Sequence, residues 1–260
     1  IVNWKSFDHN NQEWFKTSFY SDNFELIKTS NKESFDWLIQ VIQNALSISK
    51  NKNFSGCEIN TFLEFPNNWG LGSSSTLLSN VAQLFNINPF DLHFKSSNGS
   101  GYDIACATSD VPLTYQLIDK KPISSSIEWF PEFSEELFFV HLNSKQNSNN
   151  EVIRYNQNKK DETSINEISY LTTEIINCKN LKEFEKIIFE HEKIIGYSIR
   201  EKPIKEKYFS GYDGAIKSLG AWGGDFILAT RNQVKYFQNK GLNTILSFSN
   251  MIKNKALEKK

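Results

Sequence analysis

The chain has 260 residues, 39% hydrophobic and 23% charged, with 29 Lys and Arg against 30 Asp and Glu. That length buries a sizeable core without disulfide or metal staples. A net charge of −1 argues against a nucleic-acid binder held by a broad basic face, and no apolar run of about 18 residues is present to span a membrane. Three scattered cysteines, Cys57, Cys106 and Cys178, form no CxxC pair, which points to free thiols in a reducing, cytoplasmic setting. The first residue is Ile1 and the only methionine Met251, so the chain is expected to start inside a longer polypeptide.

From Ile1 to about Lys28, aromatic and polar residues alternate between Asn/Asp-rich breaks, which predicts two or three antiparallel strands. Ser30 and Glu33 read as a capping box for an amphipathic helix carrying Phe35, Leu38, Ile39, Ile42, Ala45 and Leu46 and ending near Lys50. A strand is expected after Cys57 and stops at Pro66. The run Gly70-Leu71-Gly72-Ser73-Ser74-Ser75-Thr76 then opens a helix reaching about Phe85. After Pro89 comes a second glycine turn, Asn98-Gly99-Ser100-Gly101-Tyr102-Asp103. Strands are expected near 113–118 and 137–142, separated by a linker containing Pro122, Ser124, Ser126 and Pro131. A domain boundary placed in that region gives domains 1–133 and 134–260. A polar loop near 144–150 and two helices follow, one led by Ser164 and Glu167, the other by Asn180 and Glu183. A third glycine cluster, Lys217-Ser218-Leu219-Gly220-Ala221-Trp222-Gly223-Gly224-Asp225, leads into a strand beginning at Phe226. A short helix near 233–240, a strand near 243–248 and a basic tail complete the chain.

A Gly-x-Gly-Ser-Ser turn at a helix start exposes consecutive backbone N–H groups and serine hydroxyls in front of the positive helix end, a site suited to phosphate oxygens. The alternative is a tight strand-to-helix turn in which Ser73 to Ser75 serve as redundant caps. Neither common nucleotide fingerprint fits. A Walker loop needs Gly-Lys, which the chain lacks, and Ser75 stands where GxGxxG has its third glycine.

The segment Pro66-Asn67-Asn68-Trp69-Gly70-Leu71-Gly72-Ser73-Ser74-Ser75 resembles the Pro-x-x-x-Gly-Leu-Gly-Ser-Ser loop of the GHMP kinases, named for galactokinase, homoserine kinase, mevalonate kinase and phosphomevalonate kinase. Gly99-Ser100-Gly101-Tyr102-Asp103 resembles the Ser-Gly-x-Asp turn of the mevalonate and phosphomevalonate branches. The third cluster is similar to that family's third motif, and Ile195-Gly196-Tyr197-Ser198 to the helix end before it. The resemblance covers about residues 55 to 230. It departs in two places: Trp222 stands where glycine is usual, and the first motif, with its lysine, has no counterpart and is expected upstream.

The resemblance implies an α+β, two-domain fold, the N-terminal ATP-binding domain having a left-handed βαβ unit and the C-terminal domain being ferredoxin-like. It implies ATP- and Mg²⁺-dependent phosphorylation of a small molecule, mevalonate or phosphomevalonate. The alternatives are a diphosphomevalonate decarboxylase-like enzyme and a non-catalytic, ligand-sensing relative. Gly70, Leu71, Gly72, Ser73, Ser74 and Ser75 would hold the ATP phosphates, and Asp103 would act as catalytic base. Ser74 and Asp91 would ligate Mg²⁺, and Gly220, Ala221, Trp222, Gly223 and Gly224 would form the substrate-side motif. Asp91 also suits the start of a helix after Pro89, and Asp103 a carboxylate bonding its own turn. His93 and His191 read first as structural residues and Lys217 as solvated. Lys95, Lys145, Arg154, Lys205 and Lys207 are cations available to a phosphorylated acceptor. The partner expected is a small molecule, with neither nucleic acid nor membrane, and the oligomeric state stays open.

Overall fold

The N-terminal alternation produces β1 (Val2–Phe7), β2 (Glu13–Phe19) and β3 (Leu26–Thr29), and with β4 (Glu58–Phe62) they form a sheet of order β3-β2-β1-β4. Strand β1 runs antiparallel to β2 and parallel to β4, so α1 (Lys32–Ile48) lies in the connection that carries the chain across from β3 to β4. Val2, Trp4, Phe15 and Phe19 are buried and meet Phe35, Leu38, Ile39, Ile42 and Ala45 of α1 in one apolar cluster. The cap of α1 differs from expectation. Asn31 accepts from the Ser34 N–H at 2.8 Å, while the Ser30 hydroxyl accepts from the Lys16 N–H at 3.0 Å and so serves the sheet.

The structure is a computed structural model, described over residues 1–144, 155, 161–220, 222 and 224–252. Three helices follow β4: α2 (Ser73–Leu84), α3 (Pro89–Ser96) and α4 (Tyr102–Ala107). They pack on one another, and Leu78, Val81, Ala82, Leu92 and Ile104 join the same core as the sheet. A two-stranded hairpin, β5 (Leu113–Ile118) and β6 (Lys121–Ser126), then replaces the linker expected over the second of these segments. Asp119 and Lys120 turn it with φ of +49° and +62°, the double left-handed geometry that matches strand twist. Pro122 is tolerated because a two-stranded ribbon has outward-facing positions that need no donor.

The chain divides into two compact units, Ile1–Ser126 and Ile127–Lys260, ahead of the boundary expected near residue 134. The reason lies in residues 127–133, whose aromatic side chains pack with the second unit. Trp129 Nε1–H donates to the Ile175 carbonyl at 3.2 Å, and the rings of Phe133 and Phe184 are 5.1 Å apart.

In the second unit β7 (Leu137–His141), β8 (Ile216–Ser218), β9 (Phe226–Thr230) and β10 (Ile245–Ser247) form an antiparallel sheet of order β10-β7-β9-β8. Helices α5 (Glu162–Asn177), α6 (Leu181–Ile199) and α7 (Ile204–Tyr208) lie between β7 and β8, α8 (Val234–Gln238) lies between β9 and β10, and α9 (Phe248–Met251) follows. A βαββαβ succession with the fourth strand beside the first and the third between first and second is the ferredoxin-like arrangement. Strand β7 is buried at every position, as the middle of such a unit requires.

Asn180 caps α6 as its sequence suggests, accepting from the Glu183 N–H at 3.0 Å. Helix α5 is capped by Asp161 and not by Ser164, whose hydroxyl instead donates to Asp161 Oδ2 at 2.8 Å. The loop expected near 144–150 lies, beyond Ser144, outside the described residues, as do Lys145, Arg154, Ala221 and Gly223. Among the described residues no helix is long and apolar enough to cross a membrane.

Candidate active site

Each of the three residues singled out in the first unit as metal ligand or base, Ser74, Asp91 and Asp103, stands in the first turn of a helix: α2, α3 and α4 respectively. These three helices pack on one another.

The first turn is built around Gly72. It caps α2 in a left-handed conformation, φ +83°, with no side-chain cap, and Gly70 is also left-handed at +67°. A Cβ on Gly72 would stand 2.8 Å from Ser75 Oγ. Ser75 is buried, 3% exposed, and donates its hydroxyl proton to the Gly72 carbonyl at 2.8 Å. Thr76 Oγ1 bonds the same carbonyl at 3.2 Å. The hydroxyls of Ser75 and Thr76 thus brace the turn from inside, and the Ser74 side chain faces solvent. A helix start leaves its first N–H groups without intrahelical acceptors. Among the described residues no side chain caps α2, an arrangement that suits an external anion.

Asp91 is exposed in the first turn of α3, where Asn88 is the cap, accepting from the Phe90 N–H at 2.8 Å. A carboxylate there complements the helix dipole whether or not it holds a metal. Among the described residues no cluster of three or more His, Cys, Asp or Glu side chains is arranged to hold a metal ion. Mg²⁺ bound with nucleotide phosphates is held by as few as one or two carboxylates, and Asp91 is an exposed carboxylate.

Asp103 follows Gly101, which caps α4 at φ +86°. Its carboxylate is partly buried and accepts from the Ile104 N–H at 3.1 Å. Burial, and next the charge of Asp103, push the phenol of Tyr115 above its ordinary value; the same two causes raise the thiol of Cys106. Both groups therefore stay neutral beside a single carboxylate. His93 is structural, as expected: it is 3% exposed and its Nε2 lies 3.2 Å from the Gly99 carbonyl. Tyr115 was missed, because a strand tyrosine carries no local sign that its hydroxyl reaches a turn 15 residues earlier, where it donates to the Ser100 carbonyl at 2.6 Å.

The third cluster belongs to the second unit. Gly220, Trp222 and Asp225 adopt positive φ of 59°, 57° and 54°. Lys217 is not solvated. Its ammonium donates to Glu192 Oε1 at 2.9 Å, and the Ser218 hydroxyl donates to Glu192 Oε2 at 2.8 Å, which satisfies both oxygens of a carboxylate that is 2% exposed. His191, next to it, is held down to about 4 by burial and then by the Lys217 charge. Lys205 bonds the Gly214 carbonyl at 2.6 Å and Lys207 pairs with Glu201 at 3.4 Å.

No protein-family model and no curated protein sequence matches the chain. Solved structures do. The mevalonate kinase of Methanococcus jannaschii superposes with a TM-score of 0.54 at 16% identity, over 94% of this chain and 84% of that one. A mevalonate diphosphate decarboxylase from Legionella pneumophila gives 0.51 at 13% identity, over 95% and 84%. L. major mevalonate kinase in complex with R-mevalonate gives 0.52 at 14%, over 79% and 71%. The fold is that of the GHMP kinases. At these identities the likeness is one of fold. The GHMP architecture accounts for a mixed-sheet unit carrying two glycine turns followed by a ferredoxin-like unit carrying the third.

Proposed function

We propose that the protein is an ATP- and Mg²⁺-dependent kinase of a small molecule, mevalonate or phosphomevalonate, with the first unit, Ile1–Ser126, as its nucleotide-binding part. The observation that carries this reading is the start of α2: a left-handed Gly72 with no capping side chain, braced from within by Ser75 and Thr76. The backbone N–H groups from Gly70 to Ser74 hold phosphate oxygens, and Ser74 and Asp91 supply oxygens to the metal. Bound Mg·ATP supplies the phosphoryl group and neutralises charge as it transfers. Asp103 orients the acceptor hydroxyl and accepts its proton, a role for a positioned carboxylate. On this reading the protein is a cytoplasmic enzyme.

The likeness to a decarboxylase fold supports a second reading, ATP-dependent decarboxylation of a diphosphorylated acid. An ADP-release assay against mevalonate, phosphomevalonate and diphosphomevalonate, with galactose and homoserine as comparators, separates the two. The kinase reading expects ADP with one of the first two and no carbon dioxide. Carbon dioxide with the third compound would establish the second reading, and ATP binding without ADP release from any acceptor would mark a ligand sensor.

A further inference from the structure

The second glycine turn is held by two side chains that come from different elements. His93, in α3, and Tyr115, in β5, bond successive carbonyls: Nε2 of His93 lies 3.2 Å from the Gly99 oxygen and the Tyr115 hydroxyl 2.6 Å from the Ser100 oxygen. The glycines leave room for them. A Cβ on Gly99 would stand 3.4 Å from the His93 ring, and one on Gly101 would stand 3.3 Å from Tyr115 Oη and 3.4 Å from His93 Cδ2. We infer that His93 and Tyr115 are positioning residues for Asp103, a clamp that fixes the turn from which this carboxylate projects. The inference rests on the phosphoryl-transfer reading and deepens it.

The chemistry of the two groups fits the role. A carbonyl acceptor selects the imidazole tautomer with its proton on Nε2, and among the described residues the buried Nδ1 has no hydrogen-bond partner, so the ring keeps one bond at the expense of the other nitrogen. The phenol stays protonated at neutral pH because burial and the nearby Asp103 charge both raise it, so it remains a donor to the Ser100 carbonyl there. Two bonds on adjacent peptide units remove rotation of the Gly99–Gly101 backbone, which glycine otherwise leaves free. Asp103 lies two residues beyond. A general base misplaced by even a fraction of the distance it must bridge loses rate steeply while nucleotide binding is untouched.

Tyr115→Phe removes only the hydroxyl and is the primary test, because His93 is buried and its loss risks the fold. Steady-state kinetics of ADP release and amide hydrogen exchange over residues 98–104 are measured on the wild type, on Tyr115→Phe, on His93→Gln, whose amide can still donate, and on His93→Leu, which cannot. The clamp expects Tyr115→Phe to lower kcat by about tenfold or more with KM for ATP within about twofold, and exchange in the turn to accelerate. His93→Gln should retain more kcat than His93→Leu. Wild-type kcat in Tyr115→Phe, whatever its exchange rate, overturns the proposal, as does a Tyr115→Phe variant whose loss lies wholly in KM for ATP. A wild-type protein that turns over none of the acceptors overturns the phosphoryl-transfer reading itself, an outcome distinct from an active wild type with an equally active variant.

Discussion

The indole of Trp222 packs onto Gly196: its Cη2 lies 3.3 Å from the point where a Cβ on that glycine would stand. Gly196 is buried near the end of α6, and the same Cβ would meet the Glu201 carbonyl oxygen at 2.6 Å and Pro203 Cδ at 3.4 Å. The two segments that resemble GHMP motifs in the second unit are thus in contact with each other. Gly196→Ala should destabilise by about 1–3 kcal/mol, since backbone must shift to admit one methyl. Trp222→Gly removes a half-buried ring and should lower the melting temperature by several degrees. Unchanged melting with an altered KM for one substrate would show instead that the ring serves the ligand alone.

Lys217 and Glu192 give a second expectation. Taking away one partner strands a buried charge, so Lys217→Met should lose about 3–5 kcal/mol, and Lys217→Met with Glu192→Leu should recover much of it. Urea unfolding of the two variants reads the difference. Equal stability of wild type and Lys217→Met would mean the pair is solvated after all.

These relationships mark where the sequence is legible. Long amphipathic periods are local, so α1 and α6 can be read from residues within a few positions of one another, although only the cap of α6, Asn180, is the one its sequence suggests, and Gly72 announces its turn because only glycine occupies that conformation cheaply. The eight-residue α3 and the three-residue β8 are too short to show a period. Strand β6 was hidden by Pro122 and its serines. Nonlocal pairs leave no local sign: Lys217 meets Glu192 across 25 positions. The residues of the candidate site were named from the resemblance of their motifs to those of the GHMP kinases, but what braces them, Ser75 from inside the first turn and Tyr115 behind the second, became visible only with the fold.

The first turn should respond to small changes. Gly72→Val places a branched side chain at φ +83° and 2.8 Å from Ser75 Oγ, and calorimetry should find ATP binding abolished. Ser75→Ala removes the brace and should weaken ATP binding by about tenfold, whereas Ser74→Ala should chiefly raise the Mg²⁺ concentration needed. Normal ATP affinity in Gly72→Val would place the phosphate site elsewhere.

Acid should act through His191. Its folded value is about 4, against an ordinary 6.5, so the unfolded chain binds a proton that the folded chain refuses. Stability therefore falls as pH drops from 6.5 towards 4, levels off below that window, and is unaffected by this group above it. Between pH 7 and pH 5 the contribution is about 1–2 kcal/mol. Urea midpoints for His191→Leu should be less sensitive to this pH change than wild type by that amount. The same sensitivity in both would remove His191 from the account.

The central claim, phosphoryl transfer to an acceptor oriented by Asp103, is tested most directly by ADP release from mevalonate and phosphomevalonate with the wild type and with Asp103→Asn. The expected result is turnover of one acceptor by the wild type and a loss of about a hundredfold or more in kcat in the variant, with ATP affinity nearly unchanged. Asp103→Asn turning over at the wild-type rate would contradict the role given to that carboxylate, and with it the mechanism.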